Sequence, residues 1–339
     1  MLMAGRTGRK ESRTPTVAVV VCTSSWERAP LVRACVASVL GGERQPDELF
    51  VVVDTNPALA MELSSSLPPQ ARLLQCQRAG LSAARNVGVA AARSDVVAFL
   101  DDDATADRRW LSSLMEAFAS DEHLLGAGGP VLPRWAADRR WMPDELLWVV
   151  GCTYGGHRAD AGPIRNPIGC NMAFRRPELI ALGSFETSFG KRGKALATCD
   201  ETELAMRLER MHGPNRIRFV PEAPVHHLVP ATRVSWRLLM RRSLSEGLAK
   251  GRLERLYAAS ALGAERSYVR LLIADAVPRL LLDGVRRRDR DSALGAVAII
   301  ASLTVTGAAF LAGIAREGQH AEPPSENSST EAGEPIATR

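Results

Sequence analysis

Residues 80–103 read GLSAARNVGVAAARSDVVAFLDDD. The first half is Ala-rich, a composition that favours helix. The second half runs apolar from Val96 to Leu100 and stops abruptly at Asp101, Asp102 and Asp103. An unbroken apolar run of that length predicts a strand buried on both faces. The alternation continues upstream. TVAVVVCTS (16–24) and ELFVVVDTN (48–56) predict strands, and RLLQC (72–76) is a third candidate. Between them, Leu31, Val32, Cys35, Val36, Val39 and Leu40 recur at helical spacing before Gly41-Gly42, and a short helix is expected near 58–66. ADRRWLSSLMEAFAS (106–120) predicts the helix after the acids. Strand and helix in alternation define an α/β chain with a doubly wound, mostly parallel sheet. Ligands of such sheets bind beyond the carboxyl ends of the strands, where Asp54 and Asp101–Asp103 fall.

From residue 121 the pattern loosens. LLGAGGPVLP (124–133) predicts a strand, CDETELAMRLERMHG (199–213) a helix, and RIRFVPEAPVHHLVP (216–230) a last strand with its exit loop. WRLLMRRSLSEGLAKGRLERLYAAS (236–260) reads as a basic amphipathic helix or pair. ALGAVAIIASLTVTGAAFLAGI (293–314) carries no charge, and as a helix would extend roughly 33 Å, enough to cross a bilayer. RRRDR (286–290) precedes it, and the positive-inside tendency then places the large domain in the cytoplasm, at the inner face of the cytoplasmic membrane. The expected layout is a disordered basic arm (1–15), one catalytic domain (16–250), amphipathic helices (251–292), a transmembrane helix (293–314) and a disordered tail (315–339). The catalytic domain divides into a nucleotide-binding half (16–120) and an acceptor half (121–250).

Composition narrows the function. The 339 residues are 46% hydrophobic and carry a net charge of +5, with basic clusters rather than a basic surface. Aromatic content is only 5%, which argues against stacking platforms for nucleic acid. None of the six cysteines forms a CxxC pair, so a zinc site of the usual spacing is not expected, and the thiols read as reduced core residues. The N-terminal MLMAGRTGRKESRTPT lacks the apolar stretch of a secretory signal.

The three acids carry the chemistry. In an extended segment Asp101 and Asp103 share a face, about 6.6 Å apart at Cα. Two full charges at that distance repel by roughly 2.5 kcal/mol at an effective dielectric near 20. A divalent cation between them turns that repulsion into binding, and Mg²⁺ or Mn²⁺ takes carboxylate and phosphate oxygens together. The plainer alternative, acids that end a strand and start the helix near Asp107, suits a lone Asp better than three after a buried strand.

The order of these motifs resembles glycosyltransferase family 2, inverting nucleotide-sugar-dependent enzymes of GT-A fold. VAVVVCTSSWERAPLVRACVASVL resembles the family's opening strand, loop and helix, and VVVDTNPA its second strand. RAGLSAARNVGVAAARSDVVAFLDDDA resembles its helix, strand and DxD metal motif, and CDETELAMRL the acidic pair with the catalytic base. The likeness covers roughly residues 16–250. It implies that Thr23, Asp54, Arg85, Asp101 and Asp102 bind the nucleotide, with Asp54 reading the base. It implies that Asp103 and Asp101 hold Mn²⁺ or Mg²⁺; of His226 and His227, adjacent after an apolar strand and so on opposite faces, one would complete the metal shell or hold the diphosphate. Glu201 or Asp200 would be the general base; the family usually reads Glu-Asp where this chain reads Asp-Glu. Asn171 in GCNMAFRR would contact donor sugar or acceptor, and Trp135, Trp141 and Trp148 would line an acceptor groove or pack in the core. The family's processive synthases carry a QxxRW motif, which is missing here, so single-sugar transfer is expected. The implied partners are a nucleotide-sugar donor, UDP-sugars favoured, and a glycan or polyprenyl-linked acceptor of cell-envelope polysaccharide synthesis. Two other classes compete: a nucleotidyltransferase making nucleotide sugars, and a non-catalytic nucleotide-sugar-binding scaffold. The first usually needs a Gly-rich loop where this chain has CTSSWERAP, and the second has no use for CDETEL.

Overall fold

A computed structural model describes residues 14–190, 199–257 and 263–315. The expected disordered arm and tail lie almost wholly outside the described residues.

The chain begins β1 (Val17–Thr23), α1 (Ala29–Leu40), β2 (Glu48–Asp54), α2 (Pro57–Ser66), β3 (Ala71–Cys76), α3 (Leu81–Ala91) and β4 (Val96–Asp101). β1 pairs in parallel with both β2 and β4, and β2 with β3. Alternate residues of β1 enter opposite cores, which is why the run is apolar at every position. Val17, Val19 and Val21 pack on the α1 and α2 side, whereas Ala18 and Val20 pack on the α3 side. The Ala and Gly content of α3 permits its close approach: a Cβ on Gly88 would lie 2.5 Å from the Val20 side chain.

β5 (Ala104–Ala106) and α4 (Trp110–Ser120) follow the acids, then β6 (Gly126–Gly128), β7 (Val131–Trp135), β8 (Gly162–Pro163) and β9 (Asn171–Arg175). α5 (Arg176–Ala181), α6 (Asp200–His212), β10 (Ile217–Phe219) and β11 (Val225–Val229) complete the α/β body. The main sheet has eight strands in the order β3-β2-β1-β4-β9-β6-β10-β8, and β5-β11-β7 form a second, small sheet. The main sheet is mostly parallel, with β9 antiparallel to both of its neighbours.

Two stretches expected to hold one strand each contain two. Gly129-Pro130 splits 124–133 into β6 and β7, and VPEAP splits 216–230 into β10 and β11, so each pair divides between the two sheets. A Cβ on Gly129 would lie 2.0 Å from the Ala223 carbonyl oxygen, so the two crossing points touch and only glycine fits. VHHLVP is therefore a strand rather than an exit loop.

The C-terminal part is helical: α7 (Trp236–Tyr257), α8 (Gly263–Leu271), a π turn at 272–276, α9 (Val277–Arg286) and α10 (Arg290–Ala315). α7 runs unbroken through residue 250, where the catalytic domain was expected to end. α10 is long and apolar enough to cross a membrane, and it packs along α7.

Asn171 is a strut of the core instead of a sugar ligand. It is fully buried, accepts from Trp110 Nε1 (2.8 Å) and donates to the carbonyls of Pro130 (3.1 Å) and Ala223 (2.8 Å). Asn171→Ala leaves these three groups without their partner, so a stability loss of roughly 2–4 kcal/mol is expected in urea unfolding. Donor KM should stay within about twofold; a large rise in KM at unchanged stability would return Asn171 to the site.

Candidate active site

Parallel register aligns the carboxyl ends of the central strands. Cys22 lies opposite both Val52 and Asp101, so Thr23, Asp54 and Asp101 share one edge of the sheet. All three line a single cleft of about 1680 Å³ that continues to the C-terminal helices.

The small sheet brings in the imidazole. β11 pairs antiparallel with β5 so that His227 is opposite Ala104, directly after the acids. His227 Nε2 lies 3.1 Å from Asp103 Oδ1, and its Nδ1 lies 3.6 Å from Cys152 Sγ. Ligand atoms of Asp101, Asp103 and His227 all fall within 4.8 Å of one another. β4 ends at Asp101 and β5 begins at Ala104, so Asp102 and Asp103 lie in a turn, and the turn rather than strand alternation brings the Asp101 and Asp103 carboxylates together. His226, the alternate residue, is opposite Thr105 and stays outside the cluster.

Asp102 and Asp103 are both buried, but differ in electrostatics. Burial pushes the Asp102 carboxyl up to about 6, against the pull of its ion pair with Arg28. Burial opposes ionisation of Asp103 too, yet the hydrogen bond and charge of His227, with Arg28 and Arg233, hold it well below the usual carboxylate range. Arg28 and Arg233 each approach Asp103 Oδ2 to 3.1 Å. Neither arginine stands out in the sequence. Arg28 sits in the loop after β1, and that position at the carboxyl edge is the signal that could have found it. Arg233 follows β11 by four residues and is visible only once β11 is known to reach the acids.

Opposite this cluster, α6 delivers Asp200 and Glu201. Arg85 on α3 is buried and committed: it lies 2.7 Å from Asp200, donates to the Gly169 carbonyl at 2.9 Å and stands 3.7 Å from Asp101. It was expected among the nucleotide-binding residues; the structure places it between Asp101 and Asp200, closer to Asp200. Ser82 also reaches Asp200, at 3.2 Å. Burial works against charge on Asp200, but Arg85 and the hydrogen bonds from Glu201 and Ser82 keep it below its ordinary value. Glu201 is half-buried and moves the other way: burial, the Asp200 charge and the proton it shares with Asp200 raise it well above the usual carboxylate range. The two acids are therefore distinguishable: Arg85 favours the charged form of Asp200, whereas burial and the Asp200 charge disfavour that of Glu201, which faces the cleft. Glu201 also abuts Gly169, where an added Cβ would lie 3.6 Å from its Oε2.

Asp54 accepts from the Gly80 N–H (2.9 Å) through Oδ2. Its Oδ1 is buried with no hydrogen-bond partner among the described residues, an acceptor left over at a residue that lines the cleft. Of the three tryptophans, Trp148 lines the cleft, whereas Trp141 is core and stacks on Trp236 at 5.0 Å.

The fold is that of GT-A glycosyltransferases. The mannosyltransferase PcManGT from Pyrobaculum calidifontis, solved with GDP-Man and Mn²⁺, superposes with a TM-score of 0.56 over 87% of each chain at 19% identity. Residues 18–183 match glycosyl transferase family 2. The glucosyl-dolichyl phosphate glucuronosyltransferase of Haloferax volcanii is 31% identical over 245 residues, 71% of this chain and 78% of that protein. The succinoglycan biosynthesis protein ExoM of Rhizobium meliloti is 30% identical over 203 residues, 58% of this chain and 60% of that protein. The chain belongs to glycosyltransferase family 2, and is an enzyme of that type.

Proposed function

We propose that the enzyme transfers a single sugar, with inversion and with a divalent metal, from a nucleotide-sugar donor to a lipid-linked acceptor. The observation that carries this reading is the placement of Asp101, Asp103 and His227 in the same cleft as Glu201. Two carboxylates and an imidazole suit Mn²⁺ or Mg²⁺, and the imidazole weights the set toward Mn²⁺. When bound, such a metal polarises the donor diphosphate and offsets the charge that develops as it leaves.

The remaining steps belong to the chain. Asp54 Oδ1 accepts an N–H of the base. Arg28 and Arg233 supply cationic charge beside the acids, where the diphosphate accumulates negative charge. Glu201, in its ionised form, takes the proton of the acceptor hydroxyl as the new C–O bond forms and the anomeric C–O–phosphate bond breaks. Asp200, held by Arg85, positions Glu201 and raises its basicity. Displacement from the face opposite the diphosphate inverts the anomeric centre. The lipid-linked acceptor is supported by the dolichyl phosphate in the name of the Haloferax relative and by the apolar helices at the far end of the cleft. UDP-sugars are the favoured donors, and the inner membrane face the favoured location.

The test is a panel of UDP- and GDP-sugars with Mn²⁺ and a polyprenyl-phosphate-linked glucose acceptor. Nucleoside diphosphate release and a product of inverted anomeric configuration by NMR are expected. Pyrophosphate release would identify a nucleotidyltransferase instead, and donor binding without turnover a scaffold. Asp54→Asn turns an amide N–H₂ toward the base, so donor KM should rise roughly 10- to 100-fold with little change in kcat, the loss of a charged hydrogen bond made equally in ground and transition states. An unchanged donor KM removes Asp54 from the base site.

A further inference from the structure

We propose that this protein is monotopic: α10 lies in the surface of one bilayer leaflet, with its ends on the same side of the membrane as the catalytic body, and does not cross. The inference concerns how the enzyme meets its membrane and stands whatever the donor proves to be.

The buried edge of α10 is the first observation. α7 and α10 run parallel in contact at backbone distance: a Cβ on Gly247 would lie 2.3 Å from the Thr306 carbonyl oxygen, and one on Gly251 2.3 Å from that of Phe310. Ser243 and Ser302 hydrogen-bond at 2.8 Å between them. Glu246, Lys250 and Arg252 occupy these same turns of α7. Lys250 pairs with Glu246 (3.2 Å) and Glu265 (3.1 Å), and Arg252 bonds Ser188 and covers the Phe189 ring at 4.3 Å. Near its other end α10 touches the catalytic body directly, with a Cβ on Gly295 falling 3.1 Å from the Trp141 carbonyl oxygen. The body thus flanks α10 along its length. A helix crossing the roughly 30 Å hydrocarbon layer in this packing would carry the charges of α7, and the domain docked on them, into lipid.

The open edge is the second. Leu294, Val297, Ile300, Leu311 and Ile314 are exposed by 40% or more at helical spacing along one stripe. Leu281, Leu282 and Val285 of α9 are exposed as well, Val285 by 79%. A helix on the surface of a soluble domain places polar residues on such a stripe; an apolar one of this extent marks an interaction surface. Its chemistry matches a leaflet. Where α9 meets α10, Arg286, Arg287, Arg288 and Arg290 are exposed, with Arg287 paired to Asp283 and with Asp289 and Asp291 beside them, a net-positive corner suited to anionic headgroups beside an apolar edge that enters the acyl layer. The cleft also reaches Ile273, Leu303 and Phe310 of these helices. A lipid-linked acceptor resting in that leaflet reaches the site without leaving the membrane.

Two measurements decide it. Reporters fused to the N- and C-termini of the full chain are expected on the same side of the membrane; a C-terminal reporter on the opposite side overturns the proposal. In flotation, the full chain should rise with phosphatidylcholine/phosphatidylglycerol vesicles. The double variant Val297→Glu, Ile300→Glu should float at least about tenfold less, while its donor-induced shift in Tm shows that the body is folded. Arg286→Ala with Arg288→Ala should weaken binding to the anionic vesicles several-fold and leave binding to phosphatidylcholine alone nearly unchanged. Flotation that survives the two glutamates with an unaltered donor shift also overturns the seat assigned here. Failure of the wild-type chain to bind any nucleotide sugar strikes the proposed reaction and leaves the topology result standing.

Discussion

Glu201→Gln is expected to lower kcat by about 10³-fold while donor KM changes by no more than about threefold. The substitution keeps the volume and removes the group that accepts the acceptor's proton, and general base catalysis typically contributes 10²- to 10⁴-fold. Glutamine also mimics the protonated form that burial and Asp200 favour. The same environment sets a pH dependence whose sign follows from the direction of the shift. Glu201 acts only when ionised and its pKa is raised, so kcat/KM should be present above that raised value and fall as pH drops through it. The acid limb therefore lies above the ordinary carboxylate range. Stability runs the other way. A carboxyl whose folded pKa exceeds its unfolded one stabilises at low pH, and that contribution is lost as pH rises through the folded value. Glu201→Gln should consequently hold or raise Tm at neutral pH while losing turnover. Near-wild-type turnover in this variant, measured by nucleoside diphosphate release, would falsify the base assignment.

Asp103→Asn is expected to abolish metal-dependent turnover, a loss of about 10³-fold or more if several kcal/mol of charge stabilisation depend on the ion. Asp103 is where His227, Arg28 and Arg233 converge, so the variant also weakens this corner. The two effects separate experimentally. The fold is followed by Tm without ligand, and the metal role by the additional shift on adding Mn²⁺ with donor, which should vanish. In the wild-type chain, chelation should stop turnover and Mn²⁺ should restore it more fully than Mg²⁺. Full activity of Asp103→Asn, or wild-type turnover indifferent to chelation, removes the metal from the proposal.

Much of this site was legible because its residues are local. The strands β1, β2 and β4 are continuous apolar runs, and their ends are marked by Thr23, Asp54 and Asp101 in the sequence itself. Asp101 and Asp103 do fall in one cluster with His227, but through the turn between β4 and β5 rather than through the strand alternation the sequence suggested. What failed to read through depended on register between distant segments. Asn171 is a plausible sugar ligand by type, yet β9 inserts between β4 and β6 and turns it into the core. Arg85 reads only as a nucleotide-binding residue; its pairing with Asp200 depends on α6, more than a hundred residues further on. The choice between His226 and His227 was open because a strand alternates and the sequence does not say which face meets the acids.

The sequence by itself determined the α/β alternation, the carboxyl-edge position of the acids and the family, because hydrophobic period and local motif order are properties of contiguous residues. Only the tertiary structure decided that His227 joins Asp101 and Asp103, that Arg28 and Arg233 flank them, and that Asp200 is held by Arg85 while Glu201 faces the cleft. It also decided what surrounds α10. A charge-free helix has the same composition whether it crosses a bilayer or lies on a domain. The difference is made by what packs against it, here the charged turns of α7 some sixty residues upstream. Pairing across such distances depends on strand register and helix packing, which no local pattern encodes.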